Sequence, residues 1–312
     1  MSGSTHNASD PPSKSLPLEI HAATRSYHTS LNRLITSRLP LCLPPCAWEA
    51  STYLHGISTF AEIYLTFESE WISIVSSTAS TDVSLRAQNL LRAPYQPSLL
   101  RSARLKNDLS LLSHQYAKHE RLLPLTNLTA RIRTRIQSRP HTLLAYTWIM
   151  YLALFNGGRW IRAQLLSAAN CTSHESFWPD GHSAEECLTF WHFDGDQDGE
   201  DIKNDFKTRF QAVAAQLSKE ERQDVVGEAV EIFKMCGVIV EDLDQAFADQ
   251  DGKEERRSVT PSSTALFMTE QLYGILTWIC GLVWAAVNIM ERGGGPAGHV
   301  MVSREEVGVE RR

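Results

Sequence analysis

LFNGGRW, residues Leu154 to Trp160, closes a long apolar run and decides how the chain is read. Two adjacent glycines inside a helix cost roughly 1 kcal/mol each relative to alanine. Such a pair belongs where something must approach the backbone more closely than a side chain permits. A flat ligand and a neighbouring helix both meet that description.

The run in front of the pair, LLAYTWIMYLALF from Leu143 to Phe155, is apolar on all sides and predicts a helix enclosed by neighbours. Working outward, Ile20, Thr24, Tyr27, Leu31, Leu34 and Ile35 recur at helical spacing and mark the buried face of a first helix. A second helix, from Trp48 to Trp71, carries Tyr53, Ile57, Phe60, Tyr64, Phe67 and Trp71 at 4-3-4-3-4 spacing, a long aromatic seam. Further helices are expected over 99–122 and 127–138, beyond the break RAPYQPS. Residues 168–200 read as irregular. Two more helices follow, one with Phe206, Phe210, Val213 and Leu217 on a face, the other with Ile232, Cys236, Ile239, Leu243 and Phe247. With no alternating strand pattern and no internal repeat, this is an all-α domain.

With 312 residues, 43% hydrophobic, the chain can bury one substantial core. A formal charge of -6 offers no basic footprint, so no nucleic-acid partner is expected. Six cysteines at irregular spacing do not make a disulfide scaffold, and a reducing compartment is favoured. Residues 1–15 are polar, lack an apolar h-region and read as a disordered leader. The helical domain is placed at 16–248, a charged linker at 249–265, an apolar helix at 266–290 and a polar tail at 291–312. Within that helix, residues 272–290 run for 19 positions without a charge, close to the ~20 needed to cross a bilayer core. This predicts a transmembrane tail anchor, with the main domain in the cytosol.

Three stretches together resemble the heme oxygenase family. HAATRSYHTSLN, His21 to Asn32, resembles the first-helix motif that contains the axial histidine. YLALFNGGRWIRAQL, Tyr151 to Leu165, resembles the distal helix with its glycine pair, and IKNDFKTRFQ, Ile202 to Gln211, resembles the basic helix that holds heme propionates. The resemblance covers roughly 16–247 and implies a heme oxygenase-like helical bundle. It implies His28 as the iron ligand, since heme iron takes a neutral imidazole nitrogen. Gly157 and Gly158 would line the distal heme face. Lys203 and Lys207, four apart on one helix face, would hold the propionates. His21 matches a further basic position of the family, and it reaches an anion only when protonated. In an active member the resemblance implies O2, NADPH-derived electrons from a membrane-bound reductase, release of iron and carbon monoxide, and biliverdin as product. It also suggests the endoplasmic reticulum membrane.

One position departs from the family. The distal carboxylate expected three residues before the first glycine is Leu154, which can neither donate, accept nor order water. No Asp or Glu occurs between Glu120 and Glu175, so no shift of register supplies one. Asn156 falls on roughly the opposite helix face unless the glycines distort the backbone. No catalytic residue is assigned, and two readings stay open. One is a membrane-tethered heme oxygenase-like protein that binds and oxidatively degrades heme. The other is a non-enzymatic heme-binding or heme-free membrane adaptor that keeps the fold.

Two other constellations carry weaker chemistry. DGDQDGEDIKND, Asp194 to Asp205, matches part of a calcium loop but ends in Asp and places Asp201 where an apolar residue belongs. The alternative is an acidic opening to the next helix, favoured by its N-terminal dipole. Cys171, His174, His182, Cys187 and His192 could gather zinc, at spacings that match no common finger or ribbon.

Overall fold

The computed structural model describes residues 15–78, 81–116, 126–168, 177–195 and 197–255. The chain divides into two units, 1–251 and 252–312, and the described helices build the first. Among the described residues there are ten α-helices and no strand: α1 (Leu16–Arg38), α2 (Ser51–Ser76), α3 (Asp82–Arg92), α4 (Ser102–Gln115), α5 (Thr126–Ser138), α6 (Leu143–Ala153), α7 (Arg159–Ala168), α8 (Ala184–Cys187), α9 (Glu200–Ala214) and α10 (Lys219–Glu255).

Local chemistry sets where several of these helices start. Pro17 and Glu19 occupy the first turn of α1, where proline has no N–H to lose and an acid meets the positive end of the dipole. Thr81 with Ser84 and Ser183 with Glu186 form reciprocal capping boxes that open α3 and α8. Ser218 and Glu221 exchange the same pair of bonds before α10.

The aromatic seam expected on α2 is the core of the bundle. Tyr53, Ile57, Tyr64, Phe67 and Trp71 are buried, and Phe60 is half-buried. α2 packs against α3, α4, α5 and α6. Phe67 meets the rings of Tyr64, Tyr146 and Tyr151, and Trp71 donates its indole N–H to the Leu91 carbonyl at 2.8 Å, securing α3.

A carboxylate lies inside this seam. Glu68 is 0% exposed and accepts from the Arg101 and Ser102 backbone N–H groups at 2.8 Å each, from the Ser102 hydroxyl and from the Tyr151 hydroxyl at 2.9 Å. It thus satisfies orphan donors at the start of α4 and ties α2 to α6. The Arg101 guanidinium is also buried, at 2% exposure. It donates to the carbonyls of Ser98, Leu99, Leu100 and His192 and lies 4.2 Å from the Phe193 ring centroid. Burial and the neighbouring Arg104 charge depress its pKa to about 10.

Several boundaries differ from the sequence expectation. α2 begins at Ser51 rather than Trp48, because a hydrogen-bonded corner with a 3-10 turn at Leu39–Cys42 occupies the preceding residues. Only the first half of α1 is fully buried: Leu16, Ile20 and Thr24 are covered, Leu31, Leu34 and Ile35 are half-covered, and Tyr27 is exposed. The stretch 168–200 is not wholly irregular, since it holds α8 and a 3-10 turn at Thr189–Trp191. α10 runs to Glu255, through the first part of the charged stretch read as linker. No described helix is long and apolar enough to cross a membrane; residues 266–290, on which the anchor falls, lie outside the described residues, as do residues 1–14 of the leader placed at 1–15, whose last residue, Ser15, stands at the start of α1.

Replacing Glu68 with Ala strands buried donors on two helices. The expected result is a loss of about 3–5 kcal/mol, read as a lower urea midpoint at unchanged slope. Tyr151→Phe removes one bond and costs about 1 kcal/mol in the same measurement.

Candidate functional site

The stretch LFNGG does not continue α6 as an α-helix. Leu154–Gly158 is a π-helical turn joining α6 to α7. Such a turn holds an extra residue per hydrogen-bonded loop, so faces beyond it shift relative to an ideal helix, and it is frequent at functional sites. Close by, the Tyr64 hydroxyl donates to the Met150 carbonyl at 2.9 Å.

The turn sorts its residues onto two sides. Leu154, Phe155 and Gly158 are buried, whereas Ala153, Asn156 and Gly157 are exposed. Phe155 and Gly158 face the 189–199 loop. Phe155 stacks on Phe193 with ring centroids 4.3 Å apart. A Cβ on Gly158 would meet Trp191 Cε3 at 3.2 Å and the Leu154 side chain at 3.5 Å. Trp191 is held in turn by its indole N–H donating to the Tyr53 hydroxyl at 2.8 Å. Gly158 is therefore glycine to seat Trp191, while a Cβ on Gly157 would meet nothing within 4 Å. Leu154, 3% exposed, belongs to the packed side, and Asn156 shares the exposed side with Gly157.

The same loop is fastened to α7 and α4 by charge. Arg162 grips both oxygens of Asp198 at 2.9 and 2.5 Å, and Arg159 donates to the Asp198 carbonyl and to Glu200. The Arg162 hydrogen bonds hold the Asp198 carboxyl below the usual carboxylate range. Gly199 has φ +78°, and a Cβ there would sit 2.6 Å from Phe193 Cβ, so both conformation and space demand glycine. On α4, Asp108 accepts from the Thr189 hydroxyl and the Phe190 N–H.

On α1, His21, Arg25 and His28 fall at spacings of four and three, and all three are exposed. The His28 ring meets Phe233 of α10 edge-on, centroids 5.7 Å apart at 78°. Crowding by the surrounding helices, together with the nearby His21, lowers the His28 pKa from its ordinary value. His28 is thus an imidazole accessible to solvent yet biased toward the neutral, metal-ligating form. Arg25 was passed over in the sequence reading, although its place one turn before His28 was legible. It makes no ion pair with any described residue.

The two lysines of α9 differ. Lys203 is held by Glu200 at 3.1 Å, which also takes Arg159. Lys207 is half-buried and has no hydrogen-bond or ion-pair partner among the described residues. α9 itself packs against α1 and α6. By type, an accessible imidazole, an unpaired cation and an open glycine are groups that an iron-bearing dicarboxylate macrocycle takes, and they stand on α1, α9 and the π turn.

Among the described residues the other constellations do not assemble. Asp194 pairs with Arg104, Asp198 with Arg162, and Asp205 with Arg209, so these carboxylates turn to arginines rather than to a common centre. Asp196 lies outside the described residues. Of the zinc candidates, Cys171 and His174 also lie outside them, the Cys187 thiol is pushed up to about 11 by burial, and His182 and His192 are exposed. Among the described residues no three metal-ligating side chains gather.

Residues 15–242 match the model of the family described as heme oxygenase. The chain belongs to the heme oxygenase family, for which heme is ligand or substrate. It is 22% identical over 228 residues to the heme-binding protein HMX1 of Saccharomyces cerevisiae, covering 69% of this chain and 70% of that one. Its fold is similar to heme oxygenase-2 of Synechocystis sp. PCC 6803 in complex with heme and NO, with a TM-score of 0.56 at 19% identity, covering 80% and 96% of the two chains. It is similar also to heme oxygenase 2 of Chlamydomonas reinhardtii without heme, with a TM-score of 0.56 at 16% identity over 73% and 97%.

Because Leu154 is buried beside Gly158, Leu154→Asp buries a carboxylate rather than arming the exposed face. The expected outcome is destabilisation of about 3 kcal/mol in thermal or urea unfolding. Asn156→Asp places its charge in water and leaves stability within ~0.5 kcal/mol of wild type in the same assay.

Proposed function

We propose that the protein binds heme, with His28 as the axial ligand. The observation that carries this reading is an accessible imidazole whose proton affinity is lowered, set against Phe233 on the helix face it shares with His21 and Arg25. Lys207, unpaired and half-buried, is the first choice for a propionate. Lys203 serves only by sharing or exchanging Glu200, and His21 only when protonated. Gly157 carries the close approach on the distal side, with Gly158 supporting it from the Trp191 side. Bound heme supplies a redox-active iron; the chain supplies the imidazole, the cations and a distal surface.

That distal surface lacks the acid an oxygenase uses. Leu154 is packed inward, and the polar side chain exposed on the π turn is the neutral amide of Asn156. A carboxamide orders water but delivers no proton at neutral pH. The reading that follows is a heme-binding member of the family in which biliverdin-forming cleavage is weak. Any cleavage would draw O2 and electrons from an NADPH-dependent reductase at the membrane. The 19 uncharged residues of 272–290 support tail anchoring with the helical domain cytosolic, and family membership suggests the endoplasmic reticulum.

Hemin titration of the full chain in detergent tests the ligand. Wild type is expected to give a Soret shift that His28→Ala abolishes; an identical shift in the variant sinks the assignment. Lys207→Ala should keep the spectrum and weaken binding roughly fivefold, about 1 kcal/mol.

The pH dependence has a definite sign. A proton and iron compete for the imidazole, and the depressed pKa favours iron down to lower pH. The His28-dependent Soret band is therefore expected to be constant above the ordinary imidazole pKa of about 6.5 and to be lost below it. Loss with a midpoint above that value contradicts the lowered proton affinity.

A further inference from the structure

Trp191 stands on the closed side of the π turn and is held there from several directions. It ends the 3-10 turn Thr189–Trp191, half-buried between the buried Phe190 and the exposed His192. Its indole N–H donates to the Tyr53 hydroxyl at 2.8 Å, and its ring meets Phe190 edge-on, centroids 4.9 Å apart. Its backbone N–H donates to the Leu188 carbonyl at 3.1 Å, and its carbonyl accepts from Arg162 at 3.4 Å. The residues on either side are tied as well, Phe190 by its N–H to Asp108 and His192 by its carbonyl to Arg101. Tyr53 is itself fixed in the core, buried on α2 with Trp178 edge-on at 5.8 Å. Burial pushes its phenol far above the usual tyrosine range, so it stays a neutral hydroxyl that accepts from Trp191.

A ring held in this way acts as a stop. Its Cε3 atom would lie 3.2 Å from a Cβ on Gly158, closer than carbon atoms pack at their optimum, so the backbone of the turn already rests against the indole. On the other side, no described atom lies within 4 Å of a Cβ on Gly157. The turn has room to move toward its open side and none toward the loop.

We propose that Trp191, braced by Tyr53, is a positioning residue for bound heme. Through the backbone of Gly158 it sets how far the distal turn stands from the macrocycle, and with that the room left for a small ligand on the iron. This rests on the reading of the open side of the turn as the distal heme face. On that reading the two glycines have different partners: Gly158 answers to Trp191, and Gly157 to heme.

The test uses the full chain in detergent with ferric heme, follows hemin and cyanide affinity by the Soret band, and reads urea unfolding of each variant in parallel. Gly158→Ala forces ring and turn apart and is expected to weaken cyanide binding about tenfold. Trp191→Leu empties the space that the new methyl needs, so Gly158→Ala made in that background is expected to change cyanide affinity by less than about twofold. Gly157→Ala, whose methyl meets no described atom, is expected to weaken binding equally with Trp or Leu at position 191. Tyr53→Phe releases the brace and is expected to reduce the effect of Gly158→Ala to about threefold.

Equal losses from Gly158→Ala in the two backgrounds overturn the positioning role and leave heme binding standing. So does a Gly158→Ala protein with a lowered urea midpoint and unchanged cyanide affinity, which marks Trp191 as packing alone. If Gly158→Ala does not fold, Trp191→Phe decides: a shift in cyanide affinity of about threefold is expected at unchanged hemin stoichiometry, and no shift overturns the proposal. Absence of a Soret shift in wild type overturns the heme reading, and this proposal with it.

Discussion

The buried carboxylate of Glu68 is the joint on which the arrangement depends. A charge with no solvent must be surrounded by donors, and here they come from the start of α4 and from Tyr151 on α6. By fixing the backbone at Arg101, Glu68 also aims the Arg101 side chain, which reaches the His192 carbonyl and the Phe193 ring. The 189–199 loop is thereby held against the π turn, where Phe193 stacks on Phe155 and Trp191 fills the space at Gly158. An unbroken series of contacts runs from the centre of α2 to the glycine pair.

The two sides of that turn have different work. Toward the loop it is packed with Leu154, Phe155 and Gly158; away from it are Ala153, Asn156 and Gly157, without a carboxylate. On α1, partial coverage of the second half leaves His28 accessible, and the crowding that remains lowers the proton affinity of its imidazole. His28 is accessible and Lys207 is unpaired among the described residues, while Leu154 is absorbed into the core.

Much of the bundle was legible because its signals are local and periodic. The seam from Tyr53 to Trp71 repeats at helical spacing, and burial followed that spacing almost residue by residue. His28, Lys203, Lys207 and the glycine pair were legible as a pattern of types and intervals. Less legible was which lysine would be free: Lys203 is taken by Glu200, a near neighbour in sequence, yet Glu200 is aligned through Arg159 on another helix. Arg25 was visible at helical spacing from His28 and went unused. The role of Glu68 and the reach of Arg101 to His192 were not visible, since those partners lie 33 to 91 positions away.

By itself, the amino-acid sequence determined an all-α chain, the elements of its core, and the absence of an acid anywhere near LFNGGRW. Those properties follow from composition and from the short-range period of the helix. Tertiary structure alone decided what the two glycines are for. Leu154 and Gly158 lie on the closed side, where a distant loop brings Trp191 up to Gly158 and Phe193 onto Phe155, and Asn156 and Gly157 lie on the open one. One glycine answers to a tryptophan of the same chain, and the other faces open space.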